Sequence, residues 1–461
     1  MVVALAKCGW RTLRPPENSR GRDLLNPQRR VNASGASQVC ASSVIICFGE
    51  GRKGEFRNIM MVRTLFKSAA LAVAVLVSAA AGAQETSFED WASGFRDRLA
   101  EHGAEPATIA LMMDGLEPDS RIIDRDRSQP EFVRPVWQYL EGAASDARTQ
   151  NGLSAQATHG EALETVESQF GVDADILTAI WGLESAYGVI QGDFDIVRSL
   201  ATLAWEGRRR QFAENQLFAV ADMIERGYAD RDQLKGSWAG AMGQTQFIPT
   251  TYMERAVDIH GDGHRDIWTT EADALGSAAN LLARAGWQTG APVVTEVTLP
   301  EGFDFAGWEE RDRRAVSAWA MDGVRPVSGE WSPDDLYRPA RILLPAGASG
   351  PAFMAFTNFD VIMRYNNSTA YALGVSYLAK RLSGLDALPG DWPQDNPPIT
   401  RSQARELQQT LTDLGHDTRG VDGIFGANSR AALKSFQAAN GLTPDGYAGR
   451  LAYEAVMARA Q

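Results

Sequence analysis

Cysteine is scarce and confined to one end: Cys8, Cys40 and Cys47 all precede residue 48, and none follows. A product made from the rest of the chain holds no disulfide and does no thiol chemistry. Positive charge is also in short supply. Its 45 Lys and Arg stand against 58 Asp and Glu, a net charge of −13, which makes nucleic acid and anionic membrane surfaces poor partners. Long apolar runs are missing apart from one near residue 70, and that one is too short for a comfortable membrane span. What remains is an ordinary globular composition, 44% hydrophobic and 22% charged over 461 residues, enough for two or three domains.

The short apolar run has a definite pattern around it. Arg63 and Lys67 form a basic region, Ala69–Val77 an apolar one, and Ala81-Gly82-Ala83 a small-residue cleavage site before Gln84. That is a secretory signal peptide over residues 60–83, with translation starting at Met60 or Met61. Residues 1–59 are Arg-rich and without periodicity, and are expected to be a mis-annotated upstream extension. No cysteine stands at the cleavage point, so a lipid anchor is not expected. Without residues 1–83, which carry 12 Lys/Arg and 4 Asp/Glu, the net charge becomes −21.

Residues 88–160 read as amphipathic helices, and 160–290 as helices broken by glycine. Between 291 and 360, VVTEVTLP, RAVSAWAM and ARILLPAG cluster apolar residues as short strands do. PAFMAFTNFDVIMRYNNSTAYALGVSYLAKRL returns to helix. A Pro-, Gly- and Asp-rich stretch over 384–400 reads as an interdomain linker. Beyond it a module over 401–459 repeats itself, with DGIFG at 422–426 and DGYAG at 445–449 each feeding a helix through an Asp-Gly turn.

The chemistry centres on AIWGLESAYG, 179–188, where one acid, Glu184, interrupts an apolar face. Asp173 is placed as N-cap and Gly188 as the stop, with Ile180, Trp181 and Tyr187 sharing the Glu184 face. Such a glutamate is either an exposed surface residue or a buried one with a purpose. SWAGAMGQTQFIPTTYMERA, 237–256, sets Ser237, Gln244 and Gln246 among small residues before a helix opened by a Thr251/Glu254 capping box. RYNNSTAY, 364–371, offers Tyr365, Asn366 and Tyr371, aromatic faces and an amide suited to sugar rings and N-acetyl groups.

Together WGLESAYG, SWAGAMGQTQFIPTTY, HGDGHRDIW with ALGSAAN, and RYNNSTAYALGV resemble, in order, the signature blocks of the lytic murein transglycosylase B family over residues 88–382. The terminal module resembles the three-helix peptidoglycan-binding domain. The resemblance implies a mainly α, α+β lysozyme-like catalytic domain (84–383) with a small β-containing subdomain, plus a small three-helix C-terminal domain. It places the catalytic acid at Glu184 and substrate contacts at Ser237, Gln246, Tyr365, Asn366 and Tyr371. It implies no cofactor, peptidoglycan glycan strands as partner, and a soluble periplasmic monomer without a stable membrane anchor. Some members hold calcium in a loop that here reads DIHGDGHRDIWTTEAD. Asp258 and Asp262 are oxygen donors, but His260 stands where another is expected, so no metal is expected here.

Most glycosidases use two carboxylates, whereas these blocks supply one. The implied reaction needs only one. Glu184 protonates the bond between N-acetylmuramic acid and N-acetylglucosamine, then takes the proton from the muramic C6 hydroxyl as a 1,6-anhydro ring closes without water. Burial against Trp181 and Tyr187 would keep the acid protonated. Two alternatives stand: a hydrolytic muramidase of the same lysozyme-like class, which needs a second acid and a held water, and a non-catalytic wall-binding protein.

Overall fold

The computed structural model describes residues 87–128, 134–385 and 390–460. The expected upstream extension and signal peptide lie outside the described residues.

The first helix shows how sequence sets packing. In Phe88–His102 (α1) the residues Trp91, Phe95 and Leu99 recur every four positions and are all buried. Ser87 accepts the Asp90 amide to cap the start, and Gly103 ends the helix at φ 103°. Ten helices follow in the same body: Pro106–Met113 (α2), Ser120–Arg127 (α3), Val136–Ala143 (α4), Asp146–Thr158 (α5), Gly160–Phe170 (α6), Ala174–Ser185 (α7), Ile196–Glu206 (α8), Arg210–Glu225 (α9), Pro249–Arg255 (α10) and Glu271–Arg284 (α11). A two-stranded ribbon pairs Phe194–Asp195 (β1) with Lys235–Gly236 (β2). The expected Thr251/Glu254 capping box is absent. Pro249 occupies the first position of α10 behind Ile248, its fixed φ suited to a helix start, so the helix begins three residues earlier.

The small sheet contains Val294–Thr298 (β3), Arg314–Ala315 (β4), Arg325–Pro326 (β5), Pro339–Leu343 (β6) and Ala352–Ala355 (β7), antiparallel in the order β4-β6-β7-β3-β5. Its register pairs Ile342 with Met354 and Leu343 with Phe353. The first pair faces a separate small core with Trp308, Trp319 and Phe356; the second faces the large helical core. Both faces are therefore buried, which explains apolar runs without alternation. Two expectations fail here. RAVSAWAM is mainly the helix Val316–Met321 (α12), and Ala352–Ala355, read as helix, is a strand. Thr357–Tyr365 (α13) and Thr369–Leu382 (α14) complete the body, with α14 packed along α7.

The terminal module folds as Arg401–Asp413 (α15), Ala427–Ala439 (α16) and Arg450–Met457 (α17) around Leu407, Leu411, Leu433, Phe436 and Val456. The internal echo has a shared device. Gln408 donates to Asp422 Oδ1 at 3.0 Å and accepts the Gly423 amide at 2.8 Å. Gln437 does the same to Asp445 and Gly446, at 2.9 and 2.8 Å. Each helix thus clamps the Asp-Gly turn that follows it.

The stretch expected to be a linker is not free. Trp392 packs against Trp137 and Phe353, and the Ile399 amide donates to the Ala448 carbonyl. The module is docked as well. Lys434 Nζ donates to the carbonyls of Phe305 (3.0 Å) and Trp308 and lies over the Trp308 ring. Asp445 accepts the Ala348 amide at 2.9 Å. Burial lowers the pKa of Lys434, the cost of taking an ammonium out of water.

Candidate active site

Helix α7 carries Glu184 one residue from its end. Asp173 occupies the N-cap position, but its side chain makes no capping hydrogen bond, and burial raises its pKa. The helix stops at Ser185 and not at Gly188. Ala186 (φ 51°) and Tyr187 (φ 62°) both adopt the left-handed conformation, which costs non-glycine residues roughly 1–2 kcal/mol each. Ser185 holds this turn: its hydroxyl donates to the Trp181 carbonyl and accepts the Gly188 amide at 2.9 Å, and its carbonyl takes the Ile190 amide. Backbone strain in a turn beside a chemically distinctive side chain is characteristic of functional sites.

Glu184 is half-buried, and Oε1 accepts the Tyr371 hydroxyl at 2.7 Å. Burial and the nearby Glu184 charge hold the phenols of Tyr365 and Tyr371 well above their ordinary value. The same two effects push Tyr139 up to about 12. These phenols stay neutral and can only serve the carboxyl as O–H donors or polar walls. Tyr187 plays a different part from the one expected. Its hydroxyl donates to the Arg148 carbonyl at 2.7 Å, its ring lies against Trp181, and its pKa is about 12 through burial.

The loop after β2 supplies the second wall. Ser237 is buried, and its hydroxyl oxygen accepts the Ala241 amide at 3.0 Å, which leaves the O–H to give. Gln244 accepts from Trp181 Nε1 at 2.9 Å and donates to the Trp268 carbonyl, tying α7 to the segment before α11. Gln246 sits at φ 51° and gives both amide protons to backbone, at the Gln191 and Gly243 carbonyls. Its Oε1 accepts no hydrogen bond among the described residues. Gln191 was not expected. It bridges the Gly188 and Trp268 carbonyls and so fixes the strained turn to the opposite wall, a contact across 77 positions that no local pattern announces.

The third segment, 364–371, behaves differently from a sugar platform. Tyr365 is 1% exposed and donates to the Thr245 carbonyl; Tyr371 is 3% exposed and donates to Glu184. Neither presents a free face, so stacking on a sugar ring is replaced by positioning of the loop and the acid. Asn366 is half-buried, and its side-chain amide makes no hydrogen bond among the described residues.

The calcium-type loop closes on itself. Asp258 accepts the amides of Gly261, Asp262 and Gly263, and these hydrogen bonds lower its pKa. Asp262 accepts the His264 amide, and Asp273 takes those of Ile259 and Asp266. With His260 standing where an oxygen donor is expected, the donor set of the loop falls short of a calcium cage. Among the described residues no helix is long and apolar enough to cross a membrane.

Comparison with known proteins agrees with this geometry. A family model described as the transglycosylase SLT domain matches residues 87–380, and one for a peptidoglycan binding domain matches 400–456. The chain is 30% identical over 284 residues to the membrane-bound lytic murein transglycosylase B of Escherichia coli K12, covering 60% of this chain and 74% of that protein. It is 45% identical, with a TM-score of 0.78, to SltB3 of Pseudomonas aeruginosa, solved in complex with NAG-NAM-pentapeptide; the match covers 80% of this chain and 99% of the other. The Escherichia coli lytic transglycosylase Slt35, solved in complex with calcium, matches at 28% identity and a TM-score of 0.56, over 63% of this chain and 92% of its own. The mostly helical body, the small antiparallel sheet, the three-helix module and these matches place the chain in the transglycosylase SLT family, as a lytic murein transglycosylase.

Proposed function

We propose that Glu184 acts first as acid and then as base in cleaving the β-1,4 bond between N-acetylmuramic acid and N-acetylglucosamine of peptidoglycan. The observation that carries this is a half-buried carboxyl held at 2.7 Å by a neutral tyrosine hydroxyl. With Tyr371 donating to Oε1, the acid proton is assigned to Oε2, from which it passes to the glycosidic oxygen. The proton passes to that oxygen as the bond to the anomeric carbon breaks. The carboxylate then takes the proton of the muramic C6 hydroxyl as its oxygen bonds to the same carbon. Glu184 ends protonated, ready for another turn, and no water is used.

The remaining groups serve binding. Gln246 Oε1 accepts from a sugar N–H or O–H, the Asn366 amide both donates and accepts, and the Ser237 O–H is available to an N-acetyl carbonyl. Tyr365 and Tyr371 position the loop and the acid. The terminal module holds the wall polymer. Cleavage of purified sacculi in ¹⁸O-water decides the reaction type: anhydromuramic ends without ¹⁸O are expected, and ¹⁸O-labelled reducing ends would establish the hydrolytic muramidase instead.

The signal-like segment before Gln84 and a substrate found only in the wall support export to the periplasm. N-terminal sequencing of the exported protein is expected to read from Gln84 or close to it. A mature protein retaining residues 1–59 would refute that start.

A further inference from the structure

A cavity of about 500 Å³ lies where the terminal module meets the catalytic body, in the size range of ligand sites. Its floor is apolar, with Leu343, Ile399 and Phe425, and its charges are Arg401, Arg430 and Glu310. The two arginines are equivalent in the internal repeat, each seven positions before the glutamine that clamps an Asp-Gly turn. Gly423 lies against the Arg401 stem and Gly446 against that of Arg430, and both glycines line the cavity. Their electrostatic situations differ. Arg430 faces Glu310 at 3.7 Å, whereas among the described residues Arg401 makes no hydrogen bond or ion pair, its Nε is buried without a partner, and its charge acts on Asp422 only through space. A guanidinium kept free in a part-apolar cavity is a receptor for a carboxylate, which it can grip with two parallel hydrogen bonds.

The cavity also lies close to the acid. Val136 and Thr369 line it, and these residues begin the helices that bear Tyr139 and Tyr371. The cavity therefore lies about one helical turn, ~5 Å, from the tyrosines around Glu184. A peptide chain spans ~3.3–3.6 Å per residue, so two or three residues hanging from a sugar in the cleft reach the cavity.

We propose that this cavity binds the stem peptide of peptidoglycan, with Arg401 gripping one of its carboxylates. This rests on the reading of the Glu184 cleft given above. The zwitterionic lining, one free cation beside a paired Arg430 and Glu310, suits a peptide carrying both carboxylates and amines; a neutral glycan would leave Arg401 unmatched. The terminal module then does more than hold the wall, because it supplies the peptide-reading side of a site shared with the catalytic body.

The decisive measurement is calorimetric titration of the full mature protein, in its Glu184→Gln form, with free stem pentapeptide. Substituting Arg401→Gln, or converting the peptide's carboxyls to amides, is expected to weaken binding about tenfold or more. Equal affinity in all three cases overturns the proposal. Turnover gives a second reading. For the Arg401→Gln enzyme, KM on peptide-bearing strands rises by a similar factor, kcat holds, and strands stripped of peptide by an amidase behave as with the wild type. An equal rise in KM on both substrates means that the cavity binds glycan, and overturns the peptide assignment. Should the cleft itself be misassigned, the wild type would fail on stripped strands while the titration still decided the cavity.

Discussion

Replacing Glu184 by glutamine is expected to remove turnover while leaving the fold intact. The amide fills the same volume, and its oxygen still accepts the Tyr371 hydroxyl that now reaches Oε1 at 2.7 Å. It can neither give a proton to the glycosidic oxygen nor take one from the C6 hydroxyl. General acid–base catalysis contributes about 10²–10⁴-fold, and one group serving both steps puts the loss at or beyond the upper end. A half-buried carboxyl replaced by a neutral amide leaves stability level or slightly higher. The check is paired: thermal melting beside release of anhydromuropeptides from sacculi. A variant that melts lower yet releases product at the wild-type rate would make Glu184 a structural residue and leave the wall-binding alternative standing.

The second large effect is expected at Gly236, where β2 runs into the Ser237 loop. This glycine pairs with Phe194 and bridges Met242. A Cβ here would lie 2.9 Å from the Met242 Cα and 3.0 Å from the Ala241 carbonyl carbon, with the carbonyl oxygen closer still. These are backbone atoms that cannot swing aside. Overpacking of this kind costs about 1–3 kcal/mol, and more where nothing yields. The displaced strand carries Ser237 and leads to Gln246, and misplacing a binding wall by an ångström costs about 10²-fold in rate. Gly236→Ala should therefore lower both the melting temperature and activity. Gly160→Ala is the control: it opens α6, nothing lies within 4 Å of its added methyl, and stability should stay level or rise slightly. If Gly236→Ala matched that control, the loop would be far more compliant than its contacts indicate.

Glu184 stood out because a single charge on an apolar helical face is a local signal. Its partner did not. Tyr371 looked like an aromatic platform at a helix start, and only the packing of α14 along α7, 187 positions away in sequence, turns its hydroxyl onto Glu184. Tyr365 was misjudged in the same way, its face lost to burial. Where the helix ends was misread because glycine is the usual stop, whereas here Ser185 and Gln191 impose left-handed backbone on Ala186 and Tyr187. Around the sheet, short apolar segments fit either period: α12 has only six residues, and β7 is buried on both faces and shows no alternation. The module's fold and its Asp-Gly turns followed from Leu, Phe and Gly spacing. Its docking did not, since Lys434 and Trp392 each looked like ordinary residues of a helix and a linker.

Docking changes how wall binding feeds catalysis. A module on a flexible tether presents its ligand at an effective concentration that falls with tether length and admits every orientation. Here Lys434, Asp445 and Trp392 fix one pose, so the captured polymer meets the cleft at one distance and with one polarity. Capture and cutting then cease to be separate affinities that multiply for any strand. On the function proposed above, they would combine for strands running in the matching direction, while a reversed strand would be held by the module and kept from Glu184.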